Sequence, residues 1–216
     1  MTVSVKQIPS DRMDSNSYLL EEEGHVIIID GCSGAELIRL IRSREWTVDQ
    51  LLLTHEHFDH IWYLEELRKV FGMPVVACEL CSQRIQDVKA NLSNIADVLY
   101  YFKTGIVREG RSESFTCGPA DITYDDEMEM EWRGHSLLFQ RLPGHSPAST
   151  IITLDPGRPE SVVFTGDYLI QGEEEILRLK DGSLEDYEAA ARPVLEQIPA
   201  GTMICPGHGP MYRMGG

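Results

Sequence analysis

Short apolar runs alternate with amphipathic stretches along most of the chain. Val3 to Ile8, Asn16 to Glu22 and His25 to Ile29 read as successive strands, with Glu23-Gly24 as the turn between the last two. From Gly34 to Ser43 the apolar set Leu37, Ile38, Leu40 and Ile41 predicts a helix, and Trp46 to Asp49 leads into a strand ending at Thr54. Ile61, Leu64, Leu67 and Phe71 then recur at helical spacing up to Gly72, a terminating residue. Pro74 to Ala77 reads as a buried strand, followed by a polar helix from about Glu79 to Lys89.

The stretch from Asn91 to Gly118 has no clean period; its Tyr100-Tyr101-Phe102 cluster either lines a substrate pocket or is buried under a cap. Alternation returns in Asp121 to Tyr124, Met128 to Trp132 and Ser136 to Arg141, read as an antiparallel meander. Thr150 to Leu154 and Val162 to Thr165 form a hairpin around Pro156-Gly157. Ser183-Leu184-Glu185-Asp186 opens a helix in the manner of a capping box, with Leu184, Tyr187, Ala191, Leu195 and Ile198 on one face and a kink expected at Pro193. Met203-Ile204 is a last short strand. Asp30, His55, Asp167 and His208 each close a short apolar strand, which lets their side chains gather at one edge of packed sheets, where loops carry function.

Length and composition narrow this picture. A chain of 216 residues with 42% apolar content fits one domain, residues 1–216, with a sizeable core. The formal charge of −16 argues against a nucleic-acid partner, since phosphate backbones are held by Lys and Arg. A small-molecule substrate is expected instead, an anionic one included. No apolar run approaches membrane-spanning length, and no leader-like segment opens the chain. Five scattered cysteines favour reduced thiols and a cytoplasmic location. Cys78 and Cys81 have the spacing of a redox or metal clip without a second pair, so burial at a strand-helix junction is the plainer reading.

The chemistry concentrates in Thr54-His55-Glu56-His57-Phe58-Asp59-His60, where three of the seven histidines fall within six residues. Neutral imidazoles and carboxylates are the ligands of zinc, iron and manganese. In an extended segment His55 and His57 point the same way, leaving Asp59 and His60 to serve a second ion as the chain turns into a helix. Capping by Asp59 would not account for three histidines. Glu56 alternates away from the ligand face.

This His-x-His-x-Asp-His motif after an apolar strand resembles that of the metallo-β-lactamase-fold superfamily. The later family positions follow in order as His145, Asp167 and His208, and Asp30 resembles the early Asp that supports the site by hydrogen bonding a ligand. The resemblance implies an α/β fold, a four-layer αββα sandwich. It also implies a two-metal centre, with zinc first and iron or manganese as alternatives: His55, His57 and His145 on one ion, Asp59, His60 and His208 on the other, Asp167 bridging, and a bridging hydroxide as nucleophile. Asp59 would also orient the water or handle its proton. The full ligand set resembles glyoxalase II, a thioester hydrolase, although the helical domain that binds glutathione has no counterpart after His208. The expected activity is hydrolysis of a thioester, lactone or related small ester. A mononuclear-iron persulfide dioxygenase, using His55, His145 and Asp167, is the alternative, and a metal-binding sensor is a third reading. A true β-lactamase or a nuclease is disfavoured.

Around the ligands, Tyr168 is a candidate to polarise a substrate or to pack beside the site, and Ser146 to hydrogen-bond in a turn. Arg178 and Lys180 are candidate anion-binding residues. His25 and His135, both at turns, are not expected to bind metal.

Overall fold

The computed structural model describes residues 3–110, 112–175, 177 and 179–215. Two six-stranded sheets form its centre, ordered β1-β2-β3-β4-β5-β6 and β12-β11-β10-β9-β8-β7. The first comprises β1 (Ser4–Pro9), β2 (Asn16–Glu22), β3 (His25–Ile29), β4 (Thr47–Leu52), β5 (Val75–Cys78) and β6 (Ile122–Tyr124). The second comprises β7 (Glu127–Trp132), β8 (His135–Arg141), β9 (Thr150–Leu154), β10 (Val162–Gly166), β11 (Met203–Pro206) and β12 (Tyr212–Arg213). Both are mixed: β3-β4-β5-β6 run parallel, and β10 pairs in parallel with β11. Parallel neighbours need a covering crossover, which explains why β3 and β5, apolar along their length, are buried on both faces.

Helices flank the sheets, α1 (Ala35–Ser43), α2 (Phe58–Ile61), α3 (Leu64–Phe71), α4 (Glu79–Arg84), α5 (Ala96–Thr104), α6 (Leu184–Asp186) and α7 (Arg192–Leu195). Leu37, Ile41, Leu64 and Leu67 turn inward from α1 and α3 and join one core with Ile27 and Leu51 of the first sheet and Phe139, Ile152 and Phe164 of the second. This is the αββα arrangement that the resemblance implies.

Several elements differ from the sequence reading. The strand predicted to end at Thr54 stops at Leu52. The helix expected through Ile61 to Phe71 is broken at Trp62-Tyr63, because the Tyr63 N–H leaves the helix to bond the Gly31 carbonyl at 2.9 Å, while Gly31 donates to His60 O at 2.7 Å. That exchange ties the metal motif to the turn after β3. The polar helix expected to reach Lys89 ends at Arg84, where Asp87 turns the chain by accepting from the Lys89 amide. β6 belongs to the first sheet, parallel to β5, so the expected meander is joined only from β7 onward. Ser183 caps its helix as predicted, its Oγ accepting from Asp186 N at 3.1 Å. Beyond it the helix widens to a π turn over Tyr187–Ala191 before Pro193, which has no N–H to continue an α ladder; Leu184, assigned to the apolar face, is 59% exposed. The irregular 91–118 stretch contains a 3₁₀ turn at Ser93–Ile95 and α5, and Ala96 with Leu92 packs on Met13 and Phe58 in a small apolar cluster of its own.

Candidate metal centre

The metal motif enters directly from β4, and the other candidates arrive from strand ends at the same edge: Asp30 after β3, His145 after β8, Asp167 after β10 and His208 after β11. All seven proposed ligands are nearly or fully buried. Their donor atoms form three overlapping groups, His55/His57/His145, His55/His60/Asp167 and Asp59/His60/His208, each with its donors within 4.8 Å of one another. Asp167 lies between them. Its Oδ1 is 3.2 Å from His60 Nε2, and its Oδ2 is 3.3 Å from His145 Nε2 and 3.5 Å from His208 Nε2. Asp59 Oδ2 lies 3.3 Å from His208 Nε2, and His57 Nδ1 lies 2.9 Å from His145 Nε2.

Asp30 sets ring orientation. Its Oδ2 accepts from His60 Nδ1 at 2.8 Å and from the Thr54 hydroxyl at 2.7 Å, and its Oδ1 accepts from the Thr54 amide at 2.8 Å. With its hydrogen committed to Asp30, Thr54 Oγ1 is an acceptor for His55 Nδ1–H, 3.1 Å away. Both rings are thereby held as the tautomer with a bare Nε2 facing the cluster. His55 Nε2, His60 Nε2 and Asp167 Oδ1 are buried without a hydrogen-bond partner. Buried polar atoms are normally satisfied, so three converging orphans fit a cation as the missing partner. Gly207 is required by the same crowding: a Cβ there would lie 2.3 Å from Asp167 Oδ1 and 2.8 Å from His60 Cε1.

Protonation fits this donor set at His55, His57, Asp59 and Asp167. Burial, helped by neighbouring histidines, pushes His55 down and His57 down to about 3, which keeps both imidazoles neutral. Burial alone would raise the carboxyls, but His60 and His208 hold Asp59 at about 2, and His208, His145 and His60 hold Asp167 well below the usual range. Cys32 and the carboxylates raise His60, and Asp167 and Asp59 raise His208, both against the effect of burial, so a cation bound at these two rings would displace a proton. Lys103 Nζ lies 3.1 Å from His208 Nδ1.

The remaining sequence candidates separate. Of the two fates open to Tyr168, the structure shows packing beside the site: its side chain is fully buried, and its hydroxyl accepts from His145 N at 2.9 Å and donates to Leu142 O at 2.8 Å, which positions His145. Ser146 Oγ donates to Glu56 Oε2 at 2.9 Å. Glu56 does point away from the donors, into a buried ion pair with Arg84 at 2.6 Å, and Arg84 continues to Asp181 at 2.5 Å. A carboxylate in a fully buried segment needs such a partner, which is the signal that would have found Arg84. Lys180 lines the cleft above the donors, and Arg178 lies outside the described residues. His25 is half-buried against Asp49 at 2.9 Å, and His135 bonds Asp155 at 2.6 Å and Glu22 at 3.3 Å, both away from the centre. Cys78 Sγ accepts from the Cys81 amide at 3.3 Å as a helix cap, and all five cysteines are buried free thiols.

The donors open onto a cleft of about 680 Å³ whose far wall is α5. Of the aromatic cluster, Phe102 lines the cleft as one expected role has it, Tyr100 packs under Arg108, and Tyr101 is half exposed and fills neither role. Among the described residues no helix is long and apolar enough to cross a membrane.

Two apposed sheets carrying a buried His/Asp cluster at one edge define a metal-dependent α/β sandwich. Residues 10–208 match the model of the metallo-beta-lactamase superfamily, and the chain belongs to that family. It is 27% identical over 206 residues to the probable metallo-hydrolase YqgX of Bacillus subtilis, covering 95% of this chain and 90% of that protein. A hydroxyacylglutathione hydrolase of Cereibacter sphaeroides is 26% identical over 200 residues, 90% of this chain and 62% of that one. Among solved structures, that described as the BLEG-1 B3 metallo-beta-lactamase superposes with a TM-score of 0.81 at 28% identity, over 98% of this chain and 95% of that one.

Proposed function

We propose that the protein is a two-metal hydrolase of a thioester, lactone or related small ester. The observation that carries the reading is the placement of Asp167, whose two carboxylate oxygens reach histidines of both outer donor groups, as a shared ligand requires. His55, His57 and His145 would hold one ion, Asp59, His60 and His208 the other, with Asp167 between; zinc is the first expectation and iron or manganese suit the same donors. Bound there, the ions would lower the pKa of a shared water to about 7 and polarise the substrate carbonyl.

The protein's own part is positioning. Asp59, held ionised by His60 and His208, is an acceptor at neutral pH and orients an attacking water or takes its proton. Asp30 and Thr54 fix the rings, Tyr168 fixes the His145 backbone, and α5 limits solvent on the open side. The kinship to a hydroxyacylglutathione hydrolase supports a thioester, and the solved relative's description brings β-lactam opening into the same test. That test is elemental analysis of protein purified without chelator, joined to a panel of thioesters, lactones, esters and a β-lactam. About two ions per chain with turnover of a thioester, lactone or ester, lost in Asp167→Ala while circular dichroism is unchanged, is the expected result. About one iron per chain, oxygen uptake with a persulfide and no hydrolysis would replace this reading with the oxygenase.

A further inference from the structure

The cleft is two-sided. His57, Asp59, His145, Asp167 and His208 make its polar end, while Phe58, Leu92, Ile95, Leu99, Phe102 and Leu179 stand among the apolar side chains that line the rest. The wall begins inside the metal motif, since Phe58 sits between His57 and Asp59 and packs with Leu92, Ala96 and Met13. Val98 and Phe102 complete it at 51% and 78% exposure, large apolar surface left to water beside the donors. A hydroxyacyl group of the kind named for the relative has no use for such a wall.

We propose that the cleft is an acyl pocket: the substrate carries an unbranched aliphatic or aromatic acyl chain that runs from the metal centre along α5 to Phe102. This rests on the hydrolase reading above. In a thioester the carrier thiol is ordinarily the polar, often anionic, partner, so the apolar wall belongs to the acyl side. Lys103 and Lys180, which line this cleft, suit the carrier's anionic groups, in a chain whose formal charge is −16. Each methylene moved from water to such a wall strengthens binding about three- to fourfold, and the gain should stop when the chain reaches solvent at Phe102. Tyr101, Ile106 and Val107 are also exposed, at 49%, 57% and 78%, without lining the cleft, so a second copy docking on this surface is the rival occupant.

The test uses metal-loaded protein and N-acetylcysteamine thioesters from acetyl through octanoyl, together with calorimetric titration of acetate and octanoate. The expected result is kcat/KM rising about threefold per methylene before levelling, octanoate binding more tightly than acetate, and Phe102→Ser, at an exposed position that folding does not depend on, cutting both preferences at least threefold. Turnover that is flat with chain length, with octanoate no tighter than acetate, overturns the pocket and leaves the hydrolase standing. Preferred binding of octanoate without turnover of any panel member sinks the hydrolase reading and keeps the pocket. A dimer in sedimentation that Phe102→Ser dissolves, with no chain-length preference, assigns the surface to a second copy and overturns the proposal.

Discussion

At the residue scale, the centre depends on side chains that never face the substrate. Asp30 adopts a left-handed backbone conformation (φ 57°), tolerable for Asp, and from there fixes His60 directly and His55 through Thr54. Asp30→Asn is nearly isosteric but offers one acceptor where the carboxylate offers two. It should weaken metal retention about 10–100-fold against a competing chelator, with near-native circular dichroism. An unchanged affinity would show that the rings are held by packing alone. Donor types and order were legible in the chain because metal ligation admits few residue types. The fate of Tyr168 was not, since adjacency to Asp167 in sequence says nothing of where a phenol six bonds from the backbone ends up.

At the scale of elements, the loops are held together by the ion pair that Glu56 makes with Arg84. Through Ser146 it joins the motif loop to the His145 loop, and through Arg84 to α4 and to Asp181, next to the cleft-lining Lys180. Truncating Glu56 leaves the largely buried guanidinium with Asp181 in place of two carboxylates and takes the acceptor from Ser146 Oγ, so Glu56→Ala should cost about 2 kcal/mol in urea unfolding. The pair Glu56→Leu with Arg84→Met should recover most of that loss, because apolar groups of similar size need no partner. Equal instability of single and double variants would mean that the shape of Glu56, not its charge, is what matters. The break between α2 and α3 belongs to this scale too. Apolar spacing of Ile61, Leu64, Leu67 and Phe71 signals the buried face correctly, yet cannot register that Tyr63 N–H is claimed by Gly31, a residue far away in sequence.

At the scale of the whole molecule, the sandwich is closed at two ends by different means. Where β3 ends, the His/Asp cluster gathers both sheets. Where β3 begins, His135 of the second sheet lies between Asp155 and Glu22 of the first, and Trp132 Nε1 donates to Asp49 at 2.8 Å. Burial lowers His135, but Asp155 and Glu22 outweigh it and raise it above its ordinary 6.5. Burial raises Asp155, and His135 outweighs it and lowers it below 3.8. The histidine's contribution is therefore complete below pH 6.5 and disappears as pH rises through its higher folded value; the aspartate's is complete above 3.8 and disappears as pH falls through its lower one. Between those limits the clamp is fully formed. Thermal denaturation of metal-free protein should show a Tm decline above pH 6.5 that is shallower in His135→Gln, the remainder belonging to His60 and His208, which are also raised; a slope unchanged in that variant would show that the clamp contributes nothing to it.

What the sequence by itself determined is the layering and the candidate donors: apolar strands, four of which run into Asp30, His55, Asp167 or His208, amphipathic helices between them, and His and Asp residues of the kinds that hold a metal. These are local properties, carried by period and by residue type. Tertiary structure alone decided that β6 leaves the meander for the first sheet, that Glu56 finds Arg84, that Tyr168 serves the backbone and that α5 walls the cleft. Each of these is a pairing between segments distant along the chain. It is settled by which buried polar groups and apolar faces can satisfy one another in three dimensions, and periodicity carries no record of that competition.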